Sequence, residues 1–245
     1  MTRTTTTDRV FASLRESIVT GEFPAGSLHS IYRLADLLGV SRTPVREAVL
    51  RLADTGLVTI ERNRGVRIRG VTAADVREVF ELRLLLEVPA AAHAAAHADA
   101  AAVTALADAL AHMREHAERD DEPQFVEHDR RLHDVVAGVL GNARLQAEIA
   151  TLRDSIQARG ASTIHRSRSM PELAEEHAPI VEAIATRDPL AAAAHMEQHL
   201  VRTATLLMEQ VAVDGVDIVD PDWSVGLREH LFVPGRSATP SVAAQ

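Results

Sequence analysis

Four side chains in the second half of the sequence have the residue types and helical spacing that could hold a divalent metal ion. Asp129 and His133 are four residues apart, which places both on one face of a helix, and apolar residues share that face. His177 and His199 each lie on the apolar face of a later helical segment. The spacing therefore predicts that one carboxylate and three imidazoles point into a hydrophobic core.

Burial of these four groups is unfavourable unless each of them finds a polar partner. A single divalent ion would satisfy all four and would leave coordination positions open for water or for a carboxylate. Zn²⁺, Ni²⁺ and Mn²⁺ all accept such ligands, so the donor set does not distinguish among them. The alternative is a set of separate core histidines with their own hydrogen bonds, and spacing alone favours that alternative.

Two other histidine pairs with the same four-residue spacing are expected to be surface residues. His93 and His97 lie in an alanine-rich segment, and His112 and His116 lie among polar residues. Neither pair comes with an implied third ligand, so we interpret both as solvated side chains on exposed helix faces.

The composition indicates that helices position these groups. Aromatic residues make up 3% of the chain and hydrophobic residues 46%, so the cores must consist mainly of alanine, leucine, valine and isoleucine, which favours packed helices over sheets. Helical periodicity runs from residue 71 to about residue 213 with short breaks, which predicts an antiparallel bundle of six or seven helices. The periodicity then fades, so residues 214–245 are expected to form an irregular tail.

Several missing features restrict where the protein is expected to act. The chain has no cysteine, which fits a reducing compartment. Its first eight residues are polar, and no segment has the roughly 18 consecutive apolar residues of a membrane span. We therefore expect a cytoplasmic protein without a membrane partner.

Residues 1–70 are basic although the whole chain is acidic. They contain eleven arginines against seven acidic residues, whereas the full chain has a net charge of −9. A basic segment joined to an acidic body is typical of a protein in which one domain meets the phosphates of nucleic acid. The chain has no lysine, so each strongly basic contact would come from a planar guanidinium.

The same segment has the order of elements of a winged helix-turn-helix. Helical spacing begins after Asp8, which is expected to cap the first helix, and it begins again at residues 31–38. Gly39 allows a tight turn before a third helix, which Ser41 is expected to cap. Two short alternating strands then flank a hairpin tip at residues 62–65.

The third helix begins with side chains suited to reading DNA. Arg42, Thr43 and Arg46 cluster at its N-terminal end, which is the part of a recognition helix that enters the major groove. Arginine at such a position binds guanine through two hydrogen bonds or binds phosphate. The run Ser-Arg-Thr-Pro-Val-Arg-Glu-Ala-Val, at residues 41–49, resembles the recognition helix of the GntR family of bacterial regulators.

The resemblance to the GntR family implies DNA contacts from the recognition helix and from the wing, namely Arg42, Thr43, Arg46 and Gly65. Many members also carry an acidic and a basic residue before the Leu-Ala of the second helix. This chain has Tyr32 and Arg33 in that region. Both are candidate DNA contacts, the tyrosine through a phosphate.

The helical region resembles the FCD effector domain of the FadR subfamily, in which many members bind a metal through one aspartate and three histidines. The spacing of that signature matches Asp129, His133, His177 and His199. The resemblance also implies an arginine that contacts the effector, and Arg83 occupies its place in the run Arg-Leu-Leu-Leu-Glu. Such an arginine can pair with a ligand carboxylate, and the structural alternative is an ion pair with the glutamate four residues later.

Together these patterns predict a mainly α protein in three segments. Residues 1–70 form a winged helix-turn-helix, residues 71–213 an all-α, FCD-like helical bundle for effector binding and dimerisation, and residues 214–245 the tail. The predicted function is that of a transcription regulator, not an enzyme, which binds a palindromic double-stranded operator as a homodimer and responds to a small carboxylate effector. The alternatives are a metal-dependent hydrolase fused to a DNA-binding head, or a regulator whose metal is purely structural.

Overall fold

The computed structural model describes residues 5–19, 22–157, 161–212 and 223–224. Its N-terminal part contains three helices and a three-stranded antiparallel sheet with strand order β1-β3-β2. In chain order the elements are α1 (Thr6–Val19), β1 (Leu28–His29), α2 (Ile31–Leu38), α3 (Arg42–Asp54), β2 (Val58–Glu61) and β3 (Gly65–Ile68). This is the predicted winged helix-turn-helix, with one short additional strand, β1.

Local interactions determine where the first three helices begin or end. At two of these positions, the starts of α1 and α3, the interactions differ from the prediction. Thr5 rather than Asp8 precedes α1, and the Asp8 carboxylate in the first turn accepts hydrogen bonds from the backbone and the hydroxyl of Thr5. Ser41 stands at the N-cap of α3 in an extended conformation, but its side chain makes no capping hydrogen bond. Gly39 ends α2 in the left-handed conformation, with φ at 62°, as the tight turn requires.

Gly65 at the start of β3 is packed against the backbone of β1. Its φ is +132°, a region that residues with a side chain rarely adopt, and a Cβ atom there would overlap the carbonyl oxygen of His29. The wing therefore requires glycine at this position for packing, independently of any contact with DNA.

The C-terminal part consists of six helices among the described residues, which confirms the predicted mainly α fold with an all-α second part. They are α4 (Ala73–His97), α5 (Ala100–Glu118), α6 (Glu122–Gly138), α7 (Ala143–Gln157), α8 (Met170–Ala185) and α9 (Pro189–Val211). Beyond β3, the described residues contain no strand and only one isolated bridge, between Ile164 and Arg168.

Helix α4 is the central element of this bundle. It packs most extensively against α9 and also contacts α6, α7 and α8. Its C-terminal half contains several fully buried alanines, which let neighbouring helices approach closely. The break between α4 and α5 was not predicted, because alanines continue on both sides of it; the Asp99 side chain caps α5 by accepting the N–H of Ala102 at 2.7 Å.

The predicted tail lies outside the described residues except for Trp223 and Ser224. Trp223 is buried against the bundle, and its indole N–H donates to the hydroxyl of Thr205 on α9 at 3.3 Å. Among the described helices, none is long and apolar enough to cross a lipid bilayer.

Substitution Gly65→Ala should destabilise the protein by about 3 kcal/mol or more, because it adds backbone strain and a steric overlap with β1. The matched control is Gly39→Ala, where φ is also positive but no atom lies within 4 Å of the added carbon; its cost should be about 1–2 kcal/mol. Urea unfolding followed by circular dichroism measures both. Equal losses for the two variants would contradict the packing role of Gly65.

Candidate functional site

Three buried histidines from three helices meet inside the bundle. His133 of α6, His177 of α8 and His199 of α9 each offer a ring nitrogen, and these nitrogens all lie within 4.8 Å of one another. The Nε2 atoms of His133 and His177 are 3.3 Å apart. In the described part of the chain, this is the one group of three or more histidine or acidic side chains with the spacing needed to hold a metal ion.

Asp129 lies beside this histidine cluster, one helical turn before His133. Its Oδ1 atom is 3.1 Å from Nε2 of His177, and its Oδ2 atom accepts a hydrogen bond from the guanidinium of Arg153 on α7. The structure therefore brings the three predicted histidine ligands together, and it places Asp129 at the edge of the cluster, in contact with His177.

The far side of two of these rings is fixed by hydrogen-bond acceptors. Nδ1 of His133 is 2.5 Å from a carboxylate oxygen of Glu87, and Nδ1 of His177 is 2.8 Å from the carbonyl oxygen of Leu173. A carbonyl or an ionised carboxylate can only accept, so Nδ1 of each ring carries a proton. Nε2 of both rings then faces the centre of the cluster.

The protonation states of His133, His199 and Asp129 are those that metal ligation requires. Burial, together with the neighbouring Arg153, lowers the pKa of His133 to about 4. Burial and the adjacent His177 and His133 hold the pKa of His199 well below its ordinary value. Burial alone would raise the pKa of Asp129, but Arg153 and His177 outweigh it and keep that pKa well below 3.8. Near neutral pH, His133 and His199 are therefore uncharged and Asp129 is ionised.

A cavity of about 80 Å³ adjoins the histidine cluster. His133, His199 and Asp129 contribute to its wall, and Arg83 lines it from α4. The Arg83 guanidinium also donates from Nε to Glu87 at 2.6 Å, and this ion pair is buried. The predicted structural alternative for Arg83, the ion pair with Glu87, is thus present together with its position at the cavity.

Sequence reasoning missed the two other buried arginines of the cavity wall. Arg153 pairs with Asp129, and Arg168, in the connection before α8, pairs with Glu176. The signal for Arg153 was its place among the apolar residues of α7, where Ile149 and Ile156 are also buried. No periodic pattern covers the connection that carries Arg168.

Of the discounted histidine pairs, His93, His97 and His112 lie at the surface as expected, but the side chain of His116 is only 15% exposed, and the pair His112 and His116 has a third partner. His93 and His97 are partly or fully exposed, with ring centroids 4.3 Å apart. The ring of His128 on α6 stacks on His112 at 4.6 Å and on His116 at 5.3 Å. Stacked rings do not direct their nitrogens to a common point, so this group lacks the convergent geometry of the buried cluster.

The predicted DNA-facing residues lie together on the N-terminal part. Arg42, Thr43 and Arg46 are exposed on the first turns of α3. The guanidinium of Arg42 lies over the ring of Tyr32, 4.5 Å from its centroid, and the tyrosine itself is 64% exposed. Sequence reasoning placed Tyr32 near DNA but did not predict its contact with Arg42.

Arg33 is exposed on α2 beside Tyr32. Gly65 is half-buried at the base of the wing, where its conformation is explained by its packing against His29.

A winged helix-turn-helix followed by a helical domain is the architecture of a DNA-binding transcription regulator. Residues 6–68 match the model for bacterial regulatory proteins of the gntR family, and residues 78–202 match the model for the FCD domain. The chain belongs to the GntR family and carries an FCD domain. Members of this family regulate transcription and are not enzymes, so the regulator interpretation is confirmed over the hydrolase alternative.

Relatives with known names agree with this assignment. A probable D-xylose utilization operon transcriptional repressor of Paenarthrobacter nicotinovorans is 31% identical over 203 residues, which cover 82% of this chain and 88% of that protein. An HTH-type transcriptional regulator of Agrobacterium vitis is 39% identical over 82 residues, 34% of this chain and 48% of that protein, so the match spans about half of that relative.

A similar solved structure is that of a GntR-type transcriptional regulator from Rhodococcus sp. RHA1. It is 27% identical and has a TM-score of 0.60, and the match covers 83% of this chain and 97% of that one. The likeness extends over both the winged helix-turn-helix and the helical bundle.

Substitution Glu87→Gln should lower the free energy of unfolding by about 3–5 kcal/mol, because it leaves the buried Arg83 without a charged partner. The matched control is Glu81→Gln on the same helix, whose pair with Arg77 has the same four-residue spacing but is 3.8 Å long and half-exposed. That variant should lose less than about 1 kcal/mol. Urea unfolding compares them, and similar losses would contradict a buried ion pair at Glu87.

Proposed function

We propose that this regulator binds its operator under the control of a small carboxylate effector, which occupies the cavity beside a divalent metal ion. Regulators of this family bind DNA operators, and FCD domains bind small-molecule effectors and commonly metals. The proposal assigns the metal to Asp129, His133, His177 and His199, and the effector contact to Arg83. In this scheme the metal takes part in effector binding and is not purely structural.

The observation that carries the metal assignment is the convergence of buried donor atoms from three helices. Ring nitrogens of His133, His177 and His199 all lie within 4.8 Å of one another. Nε2 of His177 lies 3.3 Å from Nε2 of His133 and 3.1 Å from an oxygen of Asp129. A divalent cation among these atoms would contact each of them favourably.

The chemistry of the donor set also fits a metal with open coordination positions. Three imidazoles and one carboxylate suit Zn²⁺, Ni²⁺ or Mn²⁺. When bound, the ion would supply a Lewis-acidic centre for a carboxylate oxygen. Glu87 and the Leu173 carbonyl orient His133 and His177 as the outer hydrogen-bond partners of ligating histidines do.

Arg83 is suited to the effector because, in the part of the chain that the structure describes, only part of its guanidinium is used for hydrogen bonds. Its Nε–H donates to Glu87, which fixes the plane of the group. Both residues lie on the central helix α4, and Arg83 lines the cavity next to His133. A carboxylate in the cavity can accept from the remaining N–H groups.

On the DNA side, we assign base and phosphate contacts to the residues at the start of α3, to the adjacent residues of α2 and to the wing. These are Arg42, Thr43, Arg46, Tyr32, Arg33 and Gly65. One such domain covers a single half-site, so a homodimer on a palindromic operator follows from the assignment. The effector would then act by changing the populations of DNA-competent and DNA-incompetent arrangements of the two domains.

Metal removal tests the sensing role. The purified chain should contain about one equivalent of a divalent metal by elemental analysis, and His177→Ala should abolish it, whereas the surface control His93→Ala should not. Operator affinity of the metal-free protein should remain near that of the loaded protein, but the response to effector should be lost. An unchanged effector response without metal would contradict the proposal, and loss of stability alone would indicate a structural metal.

The ring of Tyr32 should act by holding Arg42 in place for DNA. Tyr32→Phe keeps the ring and should change operator affinity by less than about twofold, whereas Tyr32→Leu should weaken it by about three- to fivefold, in line with an exposed cation–π contact. The control Arg46→Ala lies outside this contact. It should weaken operator binding by about 1–3 kcal/mol in the Tyr32→Phe and in the Tyr32→Leu background. If Phe and Leu at residue 32 weaken binding equally, the hydroxyl rather than the ring is responsible.

A further inference from the structure

One apolar side chain lies among the polar residues on the outer face of α3. Leu50 is 53% exposed, whereas the apolar residues on the opposite face of this helix are buried in the core of the N-terminal part. Together with Arg42, Thr43, Arg46 and Glu47 it lines a single groove on the protein surface. The DNA contacts assigned above leave this leucine without a role.

The helical repeat places Leu50 in line with side chains that we assign to DNA. At about 3.6 residues per turn, a position seven residues later points within about 20° of the first, so Leu50 lies beyond Thr43 on the same face. It is also one turn after Arg46, and all three side chains are exposed. With a rise of roughly 1.5 Å per residue, Arg46 and Leu50 are about 6 Å apart along the helix axis. Leu50 therefore continues the row of Thr43 and Arg46 by one turn.

The neighbouring Glu47 indicates which part of a duplex this turn of α3 faces. Its carboxylate is exposed, and it accepts a hydrogen bond from the hydroxyl of Thr7 on α1 at 2.7 Å, which holds it at the groove. A carboxylate held beside the phosphate backbone would be repelled by the negative charge of the phosphates. This turn of α3 is therefore suited to the base edges of the major groove rather than to the phosphates.

The chemistry of leucine then selects one group on the base edges. Its side chain neither donates nor accepts hydrogen bonds, so it cannot bind a phosphate or the polar edge of a base. The apolar group that bases present in the major groove is the C5 methyl group of thymine. Single exposed leucines are common on protein surfaces, and Leu50 is distinguished from them by its place in the row of Thr43 and Arg46.

We propose that Leu50 is a specificity residue that packs against the methyl group of a thymine within about two base pairs of the base that Arg46 contacts. The separation follows from the 6 Å or so between the two residues and the duplex step of roughly 3.4 Å. This inference rests on the proposed DNA contacts of α3, and it adds a preference for thymine at one position of each half-site. Packing of one methyl group should contribute about a fourfold preference over the same base without it.

Replacement of thymine by uracil tests the contact, because uracil lacks only the C5 methyl group. A palindromic duplex is first selected from a randomised library with the full-length wild-type chain. Each thymine of the half-site is then replaced by uracil in turn, in both half-sites of the duplex. Since both half-sites contribute, the wild-type affinity should fall by about tenfold or more at one position.

Variants at residue 50 identify the side chain that recognises this methyl group. In Leu50→Ala the loss of affinity on uracil replacement at that position should shrink to less than about twofold, and alanine favours the helix. Leu50→Met stays apolar and should keep a loss of at least about fourfold. The control Leu190→Ala, on α9 and 84% exposed, should leave the tenfold loss unchanged. If Leu50→Ala fails to fold by circular dichroism, Leu50→Gln supplies the same comparison.

The absence of any loss on uracil replacement with the wild-type chain would overturn the assignment of Leu50 and leave the proposed operator binding intact. A loss of the same size in Leu50→Ala would also overturn it, because another side chain would then recognise the methyl group. Equal weakening of the thymine and uracil duplexes by Leu50→Ala would do so too, since the leucine would then contact the sugar–phosphate backbone or another protein surface. Failure of the wild-type chain to select any duplex sequence would contradict the proposed function itself.

Discussion

The interior of the helical domain holds charge, and the charged side chains around the cavity are paired with one another. Glu87 lies at the centre of this arrangement, because its two carboxylate oxygens contact Arg83 on its own helix and His133 on α6. Through His133 it fixes the ring that faces His177 on α8. An apolar residue at position 87 would leave a buried guanidinium and an unoriented imidazole, so one carboxylate on α4 links α6 to the site through His133.

From the sequence, each candidate metal ligand could be assigned to a face of its helix. The packing of these helices around one common point could not be predicted in the same way. Periodicity puts His177 and His199 on apolar faces, and this holds in the structure. The prediction that these faces converge came from the family resemblance, since spacing within one helix contains no information on its neighbours. Arg153 was missed because a long arginine on an apolar stripe usually extends its charged end to solvent. Strand β1 was missed because two residues are too few for alternation to be detected.

In the N-terminal part, the structure explains why two positions carry the residues they do. The resemblance implied that Gly65 contacts DNA, whereas the structure gives a steric reason for glycine at that position, and the two are compatible because only the backbone is involved. Tyr32 lies in the region where the resemblance implied an acidic and a basic residue, and its ring lies under the guanidinium of Arg42. An aromatic residue on α2 thereby supports an arginine on α3, a contact between side chains ten residues apart that no local pattern predicts.

The contact between Gly65 and His29 also has a consequence for the spacing of bases within an operator. His29 is followed directly by the N-cap of α2, so β1 joins the wing to the helix-turn-helix through backbone packing with no intervening side chain. The wing is therefore held at a fixed place beside the start of α2, the helix that leads into the recognition helix α3. A base pair inserted inside a half-site would move the bases under the wing or under α3 out of register, whereas one inserted between half-sites would leave the contacts within each half-site unchanged.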